Sequence, residues 1–364
     1  MVPTQNQGKL REIKLRKEML TSRKHEIHLQ LLLLAALAML LNAFIPADAA
    51  DAKLPRVFVV NTGDGTVSFV DLNQMKELSR FNVGKEPYGI AVSQDGKTVI
   101  VGVEGEEKVK FFDSKDFKLK GELSIGKMFH DHIMLTKDGK HFLIAEYGSD
   151  ALIAVDPATM KEAFRIKGLS GPHVTKYGPT QKRVYVTCKK ITGIASVNAD
   201  DPNDVKFWPL NVNPRSLTFS PDESKLYFGS FWVDGFFEMD TNTGKVTRLF
   251  VLNPPASNRT PQEVTYHGVE AVGPETVVTA NEGRSYVDSI DLKTGKLLSR
   301  FTDVSKPCCL ERVPNSADKM EVLVSSTGDG QVELVQVATD GKMKLLGKIK
   351  VGAGPKRVAF TNED

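Results

Sequence analysis

The side chains with chemical potential are few. Beyond residue 49 there are five histidines, His130, His132, His141, His173 and His267, and three cysteines, Cys188 and the adjacent pair Cys308 and Cys309. Imidazole and thiol are the groups that ligate metals or haem iron and that exchange electrons. No Cys-x-x-Cys-His occurs, which excludes covalent haem attachment, and no Cys-x-x-Cys pair offers a zinc site. An odd cysteine count allows at most one internal disulfide. Cys308 and Cys309 follow Pro307 and have two readings: a redox-active ring closed on itself, or two compact buried thiols. Cys188 ends the apolar run RVYVTC and reads as core. The Gly-Asp-Gly stretches in NTGDGTV and STGDGQV lack the alternating acids and distant Glu of a calcium loop, so they read as hairpin turns. No nucleophile-base pair or phosphate loop stands out, and independent catalysis has no support.

These residues must be positioned by a sizeable core. With 364 residues, 41% hydrophobic and 26% charged, the chain has globular composition, enough for one large or two medium domains. The net charge of +3 resides in residues 1–49, with seven basic and four acidic side chains; the remainder balances at 41 of each. That balance leaves no field for nucleic acid or an anionic membrane. The leading segment has its own pattern. Arg23 and Lys24 precede the apolar run LQLLLLAALAMLL, followed by Asn42, Pro46 and Ala47-Asp48-Ala49. This reads as an export signal cleaved before Ala50, with Met19 as an alternative start; the run is short for a membrane span, so no stable span is expected after cleavage. The expected domains are therefore a signal over residues 1–49 and one folded domain over residues 50–364.

A repeat organises that domain. Segments such as TVSFVDLNQMKELSRFNVG and ALIAVDPATMKEAFRIKGL each read as an alternating strand ending in Asp, a polar turn and a second alternating strand. Asp71, Asp113, Asp156, Asn198, Asp240 and Asp291 stand 42, 43, 42, 42 and 51 residues apart. A second landmark, strand, Asp-Gly or Pro-Asp turn, strand, runs in step from PYGIAVSQDGKTVIVGVEG to PRSLTFSPDESKLYFGSFW. Four short strands per unit of about 42 residues predict a seven-bladed β-propeller, all-β, with antiparallel four-stranded blades. The first unit starts at Arg56 without an inner strand, and PKRVAF at the other end is an inner strand without a unit, so Arg357 to Phe360 is expected to close the ring against Arg56 to Val60.

Aligning the units puts one residue per blade at the start of each inner strand, beside the central channel: Lys356, Tyr88, Asp131, His173, Arg215, His267 and Cys308, with His130, His132, Cys309 and Arg357 adjacent. One reading is a metal, haem or anion site in the channel mouth. The other is an ordinary wet, polar mouth that needs no ligand. The 51-residue interval holds an insertion, Asn253-Pro254-Pro255-Ala256-Ser257-Asn258-Arg259-Thr260-Pro261-Gln262, stiffened by three prolines. It reads as a partner contact, together with Phe231 and Trp232 on the same rim, or as a tolerated surface insertion with both rings packed between blades.

The phrases VFVVNTGDGTVSFVDL, YGIAVSQDGKTVIV and PRSLTFSPDESKLYF resemble the YVTN-type seven-bladed propellers of extracytoplasmic bacterial and archaeal proteins, which are similar to the d1-haem propellers of nitrite reductases; the resemblance runs from about residue 56 to 360. In length, leader and blade pattern the chain more narrowly resembles the beta subunits of hydrazine synthases. That resemblance implies a haem-free subunit of an extracytoplasmic oxidoreductase complex of nitrogen metabolism, with haem in multihaem partner subunits and the 253–262 loop directed at a partner's redox centre. The likeness to d1-haem propellers implies a different role, a cofactor enzyme or carrier using His173 or His267. Two tryptophans in the chain give little support to the docking motifs of quinone-dependent propellers.

Overall fold

A computed structural model describes residues 54–127, 133–178, 180–198, 201–230, 233–252, 266–314 and 320–361, which lie in the second of two compact units, Lys53–Asp364. The expected export signal over residues 1–49, His130, Asp131, His132, Phe231, Trp232 and the Asn253 to Gln262 insertion fall outside the described residues. Among the described residues no helix is long and apolar enough to cross a membrane.

The recurring aspartates act as turn-makers. Each ends the third strand of its blade, and its carboxylate accepts hydrogen bonds from the backbone two and three residues on. Asp71 takes them from Asn73 and Gln74 at 2.9 Å each, and Asp156 from Ala158 at 2.7 Å and Thr159 at 3.1 Å. Such an Asx turn satisfies amides that the reversing strand cannot. The chain then passes through the left-handed region four residues after each Asp, at Met75, Phe117, Met160, Gly244 and Gly295.

The described strands form seven four-stranded antiparallel sheets. Blades 2 to 7 use consecutive strands. Blade 1 combines Pro355–Phe360 with Arg56–Asn61, Thr66–Asp71 and Lys76–Asn82, so the last strand closes the ring as expected. Val57 pairs with Phe360, Phe58 with Ala359 and Val59 with Val358. The closure is reinforced by Thr62 and Gly63 amides donating to the Gly354 and Ala353 carbonyls at 3.1 and 2.9 Å. A side chain at Gly63 would press on that Ala353 carbonyl.

The hydrophobic core lies between blades. Each of seven apolar clusters spans two neighbours: Ile100 and Phe111 of blade 2 pack against Ile144 and Ile153 of blade 3, and Val57 and Val70 of blade 1 against Leu323 and Leu334 of blade 7. Fully burying one such side chain is worth about 1.5–3 kcal/mol, so blade adhesion rests on these layers. The third strands therefore differ from the half-buried alternation expected of them. ALIAVD (Ala151–Asp156) is buried at its first five positions, because both faces meet a neighbouring blade. Alternation survives along outer strands such as KELSRFN (Lys76–Asn82).

Candidate functional site

The channel-mouth residues reach their places through one repeated device. Proline opens the inner strands of five blades, at Pro87, Pro172, Pro214, Pro307 and Pro355. The ladder then slips just beyond the opening residue, between Pro87 and Ile90, Pro172 and Thr175, Pro214 and Leu217, Pro307 and Cys309, and in blade 6 between Tyr266 and Gly268. A bulge re-aims the side chain it carries. The second residue of these strands, and of Pro355–Phe360, is Tyr88, His173, Arg215, Cys308, His267 or Lys356. The expected register is therefore observed for all six described positions.

Five of the six meet as a group. Lys356 Nζ stands 3.5 Å from Cys308 Sγ and 5.9 Å from the centre of the Tyr88 ring. Arg215 is near enough to Cys308 and Tyr88 for their charges to matter. His267 is paired through Nδ1 with Glu282, which also lies 3.8 Å from Lys356 Nζ. His173 holds the equivalent position and is buried. Tyr88, His173, Arg215, Cys308 and Cys309 are buried, while the side chains of His267 and Lys356 stay 19% and 20% exposed.

Three members were not singled out from sequence: Glu282, Lys189 and Glu104. Each follows the second strand of its blade and stands nine residues ahead of Asp291, Asn198 or Asp113. The same offset from the Asp landmark would have found them, and it also leads to Phe231.

Burial and charge set the ionisation of the group. Burial alone would raise the Glu282 carboxyl, but the His267 hydrogen bond and the charges of His267, Lys356 and Arg215 hold it at about 2. A hydrogen bond from Cys309, then the nearby His267 and Lys356, bring the Cys308 thiol well below its ordinary value against the cost of burial. Burial and repulsion from Arg215 push Lys189 down to about 7. The adjacent cysteines are both buried, with Cys309 Sγ 3.3 Å from Cys308 Sγ. Cys188 is core, its thiol pushed up to about 12 by burial.

Further along the inner strands, among the described residues, lies a largely buried cluster of ions. Lys176 Nζ lies 3.4 Å from Glu270 and 3.9 Å from Glu311, and burial lifts the Glu270 carboxyl to about 7 despite Lys176. The cavity these residues share with Arg357 has a volume of about 20 Å³. That is room for one water.

Comparison with known proteins agrees with this architecture. Residues 48–134 match the family model described as Cytochrome D1 heme domain. No curated protein matches the chain by sequence. Among solved structures, a chain of Kuenenia stuttgartiensis hydrazine synthase is similar at a TM-score of 0.67 and 16% identity, over 81% of this chain and 99% of that one. Dihydro-haem d1 dehydrogenase NirN is similar at a TM-score of 0.60 and 18% identity, over 85% of this chain and 66% of that one. Virginiamycin B lyase from Staphylococcus aureus follows at 0.55 and 15%, over 71% and 83%. At these identities the likeness to the three structures is one of fold. Among the described mouth residues His173 is buried and His267 is paired with Glu282.

Proposed function

We propose that this chain is a haem-free, exported propeller subunit of a multihaem redox complex, a rigid scaffold that carries the 253–262 insertion to a partner's redox centre. The observation that carries this reading is the fold match to a hydrazine synthase chain, at a TM-score of 0.67 over 81% of this chain and 99% of that one. The signal-like segment, with cleavage before Ala50, supplies the route out of the cytoplasm.

The test begins with the chain purified in its native assembly from the source cell. Native mass spectrometry should find it bound to haem-bearing subunits, and the chain released from them should show no haem absorption. A Soret band retained by the isolated chain would overturn the scaffold in favour of a d1-haem-type carrier. Sequencing the exported chain should begin at Ala50; recovery of residues 20–45 on it refutes cleavage at that site.

A further inference from the structure

His267, Glu282 and Cys308 bring three different donors together at the channel mouth. Their available nitrogen, oxygen and sulfur atoms all lie within 4.8 Å of one another. A four-coordinate zinc ion, with bonds of ~2.0 to 2.3 Å, holds its donors ~3.3 to 3.8 Å apart, so small side-chain rotations close the set. The donors sit on stiff supports. His267 and Cys308 occupy the bulged starts of neighbouring inner strands, and Glu282 follows the strand paired with the first of them. Cys308 is buried, while the side chains of His267 and Glu282 are 19% and 25% exposed, which leaves an approach from the mouth.

We propose that His267, Glu282 and Cys308 form a binding site for one divalent cation of the zinc type, and that the Lys356 ammonium is its built-in competitor. A mixed N, O and S set selects zinc or a similar borderline ion over calcium or magnesium, which want oxygen alone. Lys356 Nζ already occupies the cationic position, 3.5 Å from Cys308 Sγ and 3.8 Å from Glu282. An incoming ion displaces it toward Tyr88, whose ring lies 5.9 Å away and accepts a cation on its face. Cys309 is not part of the donor group, although its sulfur is 3.3 Å from that of Cys308. Three protein donors leave a fourth position open to water or to a donor from a partner.

Cobalt(II) and zinc(II) added to the reduced, full-length exported chain test the proposal. Cobalt should bind at one equivalent and give a thiolate-to-metal charge-transfer band in the near-ultraviolet, which zinc then bleaches. Cys308→Ser should abolish the band and weaken zinc binding by about 100-fold, whereas Cys309→Ser should keep the band. Lys356→Met should tighten zinc binding by about tenfold, since the internal competitor is gone. Paired substitution of His267→Ala with Glu282→Gln should also abolish stoichiometric binding. Thermal melts identify which variants remain folded, and Cys309→Ser and Lys356→Met report even if Cys308→Ser does not fold. The site is refuted if cobalt binds without a thiolate band, if binding is absent, or if Lys356→Met leaves the affinity unchanged.

Discussion

Glu333 shows how a single buried acid sets the pH response of the ring. It is fully buried on the third strand of blade 7, with the Ser326 hydroxyl 2.7 Å from its carboxylate. Burial pushes its carboxyl up to about 7 from an ordinary 4.5, against the opposing pull of Ser326 and Lys348. Between those values the folded chain holds a proton that the unfolded chain has released, so stability falls as pH rises through that window. Glu333→Gln imitates the neutral acid. It should melt close to the wild type at pH 5 and be more stable at pH 8 by up to ~3 kcal/mol, read from denaturation at both pH values. An unchanged difference between the two pH values would mean that Glu333 ionises normally. Nothing around Glu333 in the sequence marks it, because QVELVQV is a plain alternating strand and only its two-sided packing in blade 7 buries the carboxyl. Tyr88 and His267 were legible for the opposite reason. Their positions repeat with the blades, and a repeated register needs only counting.

The turn after the third strand gives the element scale its test. Asp156→Ala removes the acceptor for two amides and should cost about 1 kcal/mol in chemical denaturation, with the fold retained. Gly244 occupies the left-handed position of the same turn in blade 5, at φ 70°, and an added Cβ would run into the Trp208 ring. Gly244→Ala should therefore cost more than Asp156→Ala, since it adds left-handed strain of roughly 1–2 kcal/mol to a clash. Equal losses would show that Trp208 moves aside freely. The proline-rich insertion belongs to this scale too. Its flanking strands, Val246–Val251 and Tyr266–Ala271, are each paired within their own blades. Replacing residues 253–262 by a short Gly-Ser connection should leave the melting temperature nearly unchanged and weaken assembly of the complex; full assembly and turnover would make the insertion ornamental.

For the whole molecule, closure is the decisive contact. Val358 pairs with Val59 and, half-buried, packs against the cluster between blades 7 and 1. Val358→Asp puts a charge into that layer, and truncation before Pro355 removes the strand altogether. Either should lower stability by several kcal/mol, a loss expected when a charge enters a packed core. In hydrogen exchange the amides of Arg56–Asn61 should open first, and an unchanged melting temperature would argue for a different closure. The number of blades, their order and this closing strand were determined by the sequence alone, because a strand, an Asp turn and a strand repeating every 42 or so residues are local features that survive without knowing the fold. What only the tertiary structure decided is which of those register positions touch. Cys308, Glu282 and Lys356 come from blades 7, 6 and 1, with Lys356 48 residues beyond Cys308, and they meet because the ring closes between blade 7 and blade 1. Burial and ionisation follow from that convergence, since no single blade can take a charge out of water or set a cation beside it.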